Sequence, residues 1–162
     1  MIENQILEKA ALIRGQFINH VAFIEKMLEI LIGTYFCKNE ERSNEMIEFL
    51  LGDRFVSFES KRTTFESIMK KHFLTLYKQN KTVFEHLTTI QMQRNRFAHL
   101  IVYTGAVAEE RYLKDGAIAF IKFGYDTTKP HWYDNTELSR ISIAVNVVKA
   151  WLPKLLNEKA LS

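Results

Sequence analysis

An apolar stripe of helical period runs through the first thirty-eight residues. It constrains the fold more than any other feature. Ala10, Phe17, Val21, Ile24, Leu28, Leu31 and Tyr35 recur at alternating spacings of three and four, with one position passed over between Ala10 and Phe17, and Ile13, Phe23, Met27 and Ile30 widen the same face. The spacing predicts one long helix, closed by the polar run Cys37-Lys38-Asn39-Glu40-Glu41-Arg42-Ser43. At about 1.5 Å per residue it extends roughly 55 Å. That outruns a compact bundle built from 162 residues, so part of it, or of the fourth helix, is expected to pack on a second copy. The alternative is a break at Gly15 or Gly33.

Further helices are expected over residues 44–51, ended by Gly52-Asp53, over 57–79 and over 81–101, with Asn80 as the break. Phe65, Ile68, Met69, Phe73, Leu76 and Tyr77 form the buried face of the third. The pattern then changes. Residues 111–113 and 117–123 are rich in aromatic and branched side chains, and Asp115-Gly116 between them is a hairpin signal, because these residues tolerate positive φ. His131-Trp132-Tyr133 adds a further extended segment. Asp134 or Asn135 caps a last helix, with Glu137 the reciprocal partner if Asp134 is the cap. That helix buries Ile141, Ile143, Val145, Val148, Trp151, Leu152 and Leu155, and Pro153 is expected to kink or shorten it. The predicted class is mainly α: a helical bundle with a small β-hairpin before the C-terminal helix, one domain over 1–162.

Composition narrows the function classes. Gly 6 and Pro 2 offer too little turn punctuation for an all-β barrel. With 47% hydrophobic and 25% charged residues, the chain is neither disordered nor collagenous. The single cysteine, Cys37, excludes an internal disulfide and a multi-cysteine zinc site. Lys+Arg 22 against Asp+Glu 19 gives +3, which permits a phosphate-bearing partner but cannot hold long nucleic acid by charge alone. The start, Met1-Ile2-Glu3-Asn4-Gln5, lacks a signal peptide's basic region, and the longest apolar runs, 30–37 and 100–108, are too short to span a bilayer. A cytoplasmic protein with no membrane partner is expected. No Gly-rich phosphate loop, nucleophile elbow or zinc-spaced pair is present, so no cofactor or metal ion is expected.

Chemistry concentrates in Gln91-Met92-Gln93-Arg94-Asn95-Arg96-Phe97-Ala98-His99. Counting the core stripe through Val83, Leu87, Ile90, Phe97 and Ile101 places Arg94 on it, costly unless the arginine is paired or faces a cleft. The neighbouring stripe, Thr88, Gln91, Asn95 and His99, is polar throughout. Asn95 and His99 are four apart and can hydrogen-bond, whereas Arg94 and His99 lie about 140° apart around an ideal helix. Histidine exchanges protons near neutral pH, and arginine's fork suits a phosphate in its transition state. Together with an asparagine to orient the imidazole, the set suits RNA cleavage in which the ribose 2′-hydroxyl is the nucleophile. A purely structural role is also open: Arg94 paired with Glu85 at the core edge, and His99 favoured by the helix dipole.

Arg94-Asn95-Arg96-Phe97-Ala98-His99 resembles the signature of the HEPN superfamily (higher eukaryotes and prokaryotes nucleotide-binding domains): an arginine, a polar residue, then a histidine after four to six intervening residues. Leu100 follows where many members carry glycine. The resemblance implies a HEPN helical bundle in which Arg94 and His99 from two protomers line one composite ribonuclease site, with Asn95 at the polar position. It implies a metal-independent endoribonuclease, a toxin or host-defence effector, acting on RNA as a homodimer and answering to an antitoxin or regulatory protein. Arg96 and Gln91 are the candidate RNA contacts. The alternative is a non-catalytic HEPN-like dimeric interaction or regulatory module. Elsewhere, His20 reads as structural, His72 and His86 as solvated, and Lys61-Arg62 and Lys70-Lys71 as basic pairs on solvated faces. His131-Trp132-Tyr133 offers aromatics that either pack or stack an unpaired base.

Overall fold

A computed structural model describes residues 2–52, 56–122 and 129–157. Met1, Asp53 and Phe123, each part of a sequence-based expectation, lie outside the described residues. The first helix, α1 (Ile2–Phe36), is continuous over 35 residues and breaks at neither Gly15 nor Gly33. Helix α2 (Glu40–Met46) starts earlier than the pattern predicted, because the Asn39 side chain accepts from Arg42 N at 3.2 Å and caps it. It continues as a π-helical stretch over Ile47–Leu51. Helices α3 (Phe58–His72), α4 (Leu74–Gln79) and α5 (Lys81–His99) follow, then β1 (Ile101–Val102), α6 (Ala106–Asp115), β2 (Ile118–Ile121), β3 (His131–Tyr133) and α7 (Asn135–Asn157). The chain is mainly α with a small antiparallel sheet ahead of its last helix, the class that the patterning predicted.

Local departures have physical causes. The expected third helix is two helices, because the Phe73 backbone (φ −131, ψ 45) leaves the helical region. Residues 111–113 are helical, not extended, and Asp115-Gly116 ends α6 instead of turning a hairpin. Gly116 takes φ +70 and donates its N–H to Tyr112 O at 2.8 Å, while Asp115 Oδ1 accepts from Ala117 N at 2.9 Å. A hairpin turn and a helix C-cap both need positive φ, so Asp-Gly serves either. The sheet has order β1-β2-β3, all antiparallel, with Phe120 opposite both Val102 and His131. Asp134 caps α7 by accepting from Glu137 N at 2.8 Å, and the helix runs past Pro153 to Asn157.

The chain divides into two compact units, Met1–His20 with Met92–Ile143, and Val21–Gln91 with Ala144–Ser162. In the first, Phe97 is the hub. Its ring meets Phe17 at 5.0 Å, Phe120 at 5.1 Å and Tyr133 at 5.1 Å, each a favourable aromatic geometry. Ile6, Ala10, Ala108, Ile118 and Ile141 fill in around it.

In the second unit the buried residues include Val21, Ile24, Leu28, Leu31, Leu87, Val148 and Leu152. Trp151 stands edge-on to Phe65 and Phe84. Phe23 and Ile143, expected in the core, are exposed, as flanking positions of their helical stripes. Lys61 overturns its expected solvated setting. It is fully buried, with Nζ 2.7 Å from Glu25 Oε1 and 2.7 Å from Glu29 Oε1. Helices α1 and α2 approach closely at Gly33, where a Cβ would stand 2.7 Å from Ser43 Oγ.

Candidate functional site

The buried face of α5 runs through Val83, Phe84, Leu87, Ile90, Gln93 and Phe97. Counting placed Arg94 on this stripe; Gln93 takes that place. Steps of three and four both satisfy a helical period, and the apolar count passes over a glutamine. Gln93 is 1% exposed and its Oε1 accepts from the Tyr133 hydroxyl at 2.7 Å, which meets the cost of burying its carbonyl oxygen. Arg94 is therefore rotated to the edge of the helix and half-buried, while Asn95 and His99 are exposed.

Arg94 Nη1 points to Asn95 Oδ1 at 3.4 Å. Asn95 makes that contact and no hydrogen bond to His99. Glu85, the expected structural partner of Arg94, instead lies 3.8 Å from Lys81 in an exposed pair. Among the described residues no carboxylate neutralises Arg94. Gln91 is engaged in the second unit: it accepts from Arg62 Nε, and the same guanidinium reaches Glu66 at 3.0 Å and Thr88 at 3.2 Å.

The end of α5 is anchored, which fixes where His99 stands. Arg14 Nη2 donates to Leu100 O at 2.8 Å and its guanidinium lies over the Phe120 ring at 4.9 Å. Arg14 was not among the candidates, and a half-buried arginine on an apolar helix face is the signal that marks it. Immediately after Leu100 the chain enters β1, which ties the helix end to the sheet.

Arg96 sits on the other flank of α5, half-buried, and its charge bears on both Tyr133 and His131. Burial pushes the His131 imidazole below its ordinary range, and the Arg96 charge adds to that. Burial also raises the Tyr133 hydroxyl, outweighing the hydrogen bond and charge of Arg96 that act the other way. Trp132 and Tyr133 pack within the protein. Arg111 lies over the Trp132 ring at 4.3 Å, Tyr103 stands edge-on at 6.0 Å, and Tyr133 is buried.

The exposed end of α5 thus presents an imidazole, an amide and two guanidiniums held from opposite flanks. Such a set can exchange a proton and stabilise charge on a phosphate. Among the described residues, no three histidine, cysteine or acidic side chains gather to hold a metal ion. No described helix is long and apolar enough to cross a membrane. No protein-family model matches the chain, and no curated protein or solved structure matches it.

Proposed function

We propose that this chain is a HEPN-like, metal-independent endoribonuclease, working as a homodimer in which Arg94 and His99 from two protomers line one site. The observation that carries the reading is the exposure of Asn95 and His99 beside an Arg94 that no described carboxylate neutralises. A structural arginine would be expected to hold such a partner. In the reaction, the ribose 2′-oxygen attacks phosphorus as its proton leaves, and the bond from phosphorus to the 5′-oxygen breaks as that oxygen gains a proton. The products are a cyclic phosphate and a free 5′-hydroxyl. His99 exchanges one of these protons, Arg94 stabilises the phosphate's added charge, and Asn95 steadies the site through Arg94. A toxin or host-defence role, restrained by an antitoxin or regulatory protein, belongs to the same reading.

His99→Ala and Arg94→Ala are expected to lower cleavage by about 100-fold or more, with far-ultraviolet circular dichroism unchanged because His99 is exposed and Arg94 stands half-buried at the edge of its helix, outside the core stripe. A non-catalytic interaction module is the competing reading, favoured by exposed Met92 on the same helix. Expression in cells separates the two. A ribonuclease is toxic and loses toxicity with His99→Ala; a module is harmless in both forms.

A further inference from the structure

His99 is the last residue of α5, and the last turn of a helix is where order is hardest to keep. Its carbonyl groups lack partners within the helix, so a turn that ends in water frays. Nor does Asn95 hold the imidazole, since its Oδ1 is turned to Arg94. The placement of His99 therefore depends on how firmly its backbone is held.

The facing helix supplies that hold at two points. On α1, Arg14 and Phe17 are three residues apart, and they meet Phe97 and Leu100, also three apart, in antiparallel order. The Phe17 ring packs on Phe97 at 5.0 Å, and Arg14 Nη2 donates to Leu100 O at 2.8 Å. Between these two anchors lies one helical turn, and His99 is on it. Leu100 N closes that turn on Arg96 O at 2.9 Å, so a tether on the Leu100 carbonyl holds the same peptide segment that completes the helix. The guanidinium is itself seated, 4.9 Å above the Phe120 ring, and Phe120 is paired with Val102 in the strand that follows His99. A cation at a helix C-terminus is also favoured by the helix dipole.

We propose that Arg14 is a positioning residue for His99: by tethering Leu100 O it keeps the last turn of α5 wound and the imidazole where proton exchange requires it. Proton transfer needs hydrogen-bond reach, and a displacement of about 1 Å costs up to roughly 100-fold in rate. Arg94 lies more than a turn earlier, ahead of the Phe97 anchor, so loss of the tether acts on turnover and spares the binding of substrate. The tether stands on its own contacts; its consequence for turnover rests on the ribonuclease reading.

The test uses the full chain and two variants. Arg14→Met keeps an apolar stem against Phe120 and removes the donor; Arg14→Lys keeps a charge and a donor without the planar fork. Amide hydrogen exchange at His99 and Leu100 is expected to quicken about tenfold in Arg14→Met, with Leu87 and Ile90 unchanged, and to lie between the two in Arg14→Lys. With an RNA oligonucleotide, kcat is expected to fall about tenfold or more in Arg14→Met, with KM held within about twofold, and Arg14→Lys is expected to recover part of the loss. Exchange at His99 and Leu100 that matches wild type overturns the tether. Faster exchange with kcat unchanged, or a rise in KM at constant kcat, overturns the positioning role. If the wild type leaves RNA intact, the ribonuclease reading falls, and the exchange rates together with the His99 imidazole signals, expected to shift in Arg14→Met, decide the tether without it.

Discussion

Gln93, Tyr133 and Lys61 are the residues whose chemistry most departs from what spacing conveys. Tyr133→Phe removes the donor to the buried Gln93 carbonyl oxygen. It is expected to cost about 1–3 kcal/mol in chemical denaturation, because that acceptor is left unpaired away from water. Lys61→Met leaves Glu25 and Glu29 without their shared ammonium, and a loss of about 3–5 kcal/mol is expected by the same measurement. His131 carries a pH dependence. Its folded-state affinity for protons is lowered, so around the ordinary histidine range the unfolded chain binds more protons and stability rises with pH. This contribution is present above the unfolded value and is lost as pH falls through the lower folded one. Thermal unfolding from pH 7 to 5 is therefore expected to fall more steeply for wild type than for His131→Gln. The sequence made Arg94, Asn95 and His99 visible through their types and spacing. It could not show Gln93 as the core residue or Lys61 as buried, since both are polar and depend on partners distant in the chain.

Elements were more legible than residues, because helices repeat and their signals add. The long α1 and capped α7 follow directly from apolar period and the Asp134 cap. The break at Phe73 has no glycine or proline to announce it, and Asp115-Gly116 reads alike as a hairpin turn or a helix end. Two glycines of α1 give an opposed pair of expectations. At Gly15 an added Cβ meets nothing within 4 Å, so Gly15→Ala is expected to stabilise by about 0.5–1 kcal/mol through helix propensity. At Gly33 the same methyl meets Ser43 Oγ at 2.7 Å and Ile47 Cγ1 at 3.2 Å, so Gly33→Ala is expected to destabilise despite that gain. Melting temperatures of the two variants should move in opposite directions.

For the whole molecule, the mainly α class came from composition and period, while the boundaries of its two compact units had no marker, since α1, α5 and α7 contribute to both. Leu7, Leu12, Ile18 and Phe23 leave apolar side chains exposed along α1, in keeping with the proposed pairing of two copies. The modest charge of +3 fits a compact site better than a groove that tracks a long strand. What matters then is where Arg94, Arg96 and His99 point. The most direct measurement incubates RNA with the purified protein in a metal chelator and determines the termini of any fragments by mass spectrometry. Fragments ending in cyclic phosphate and beginning with a 5′-hydroxyl, absent with His99→Ala and with Arg94→Ala, are the expected result. Intact RNA with the folded wild-type protein, or equal cleavage by either variant, would contradict the account.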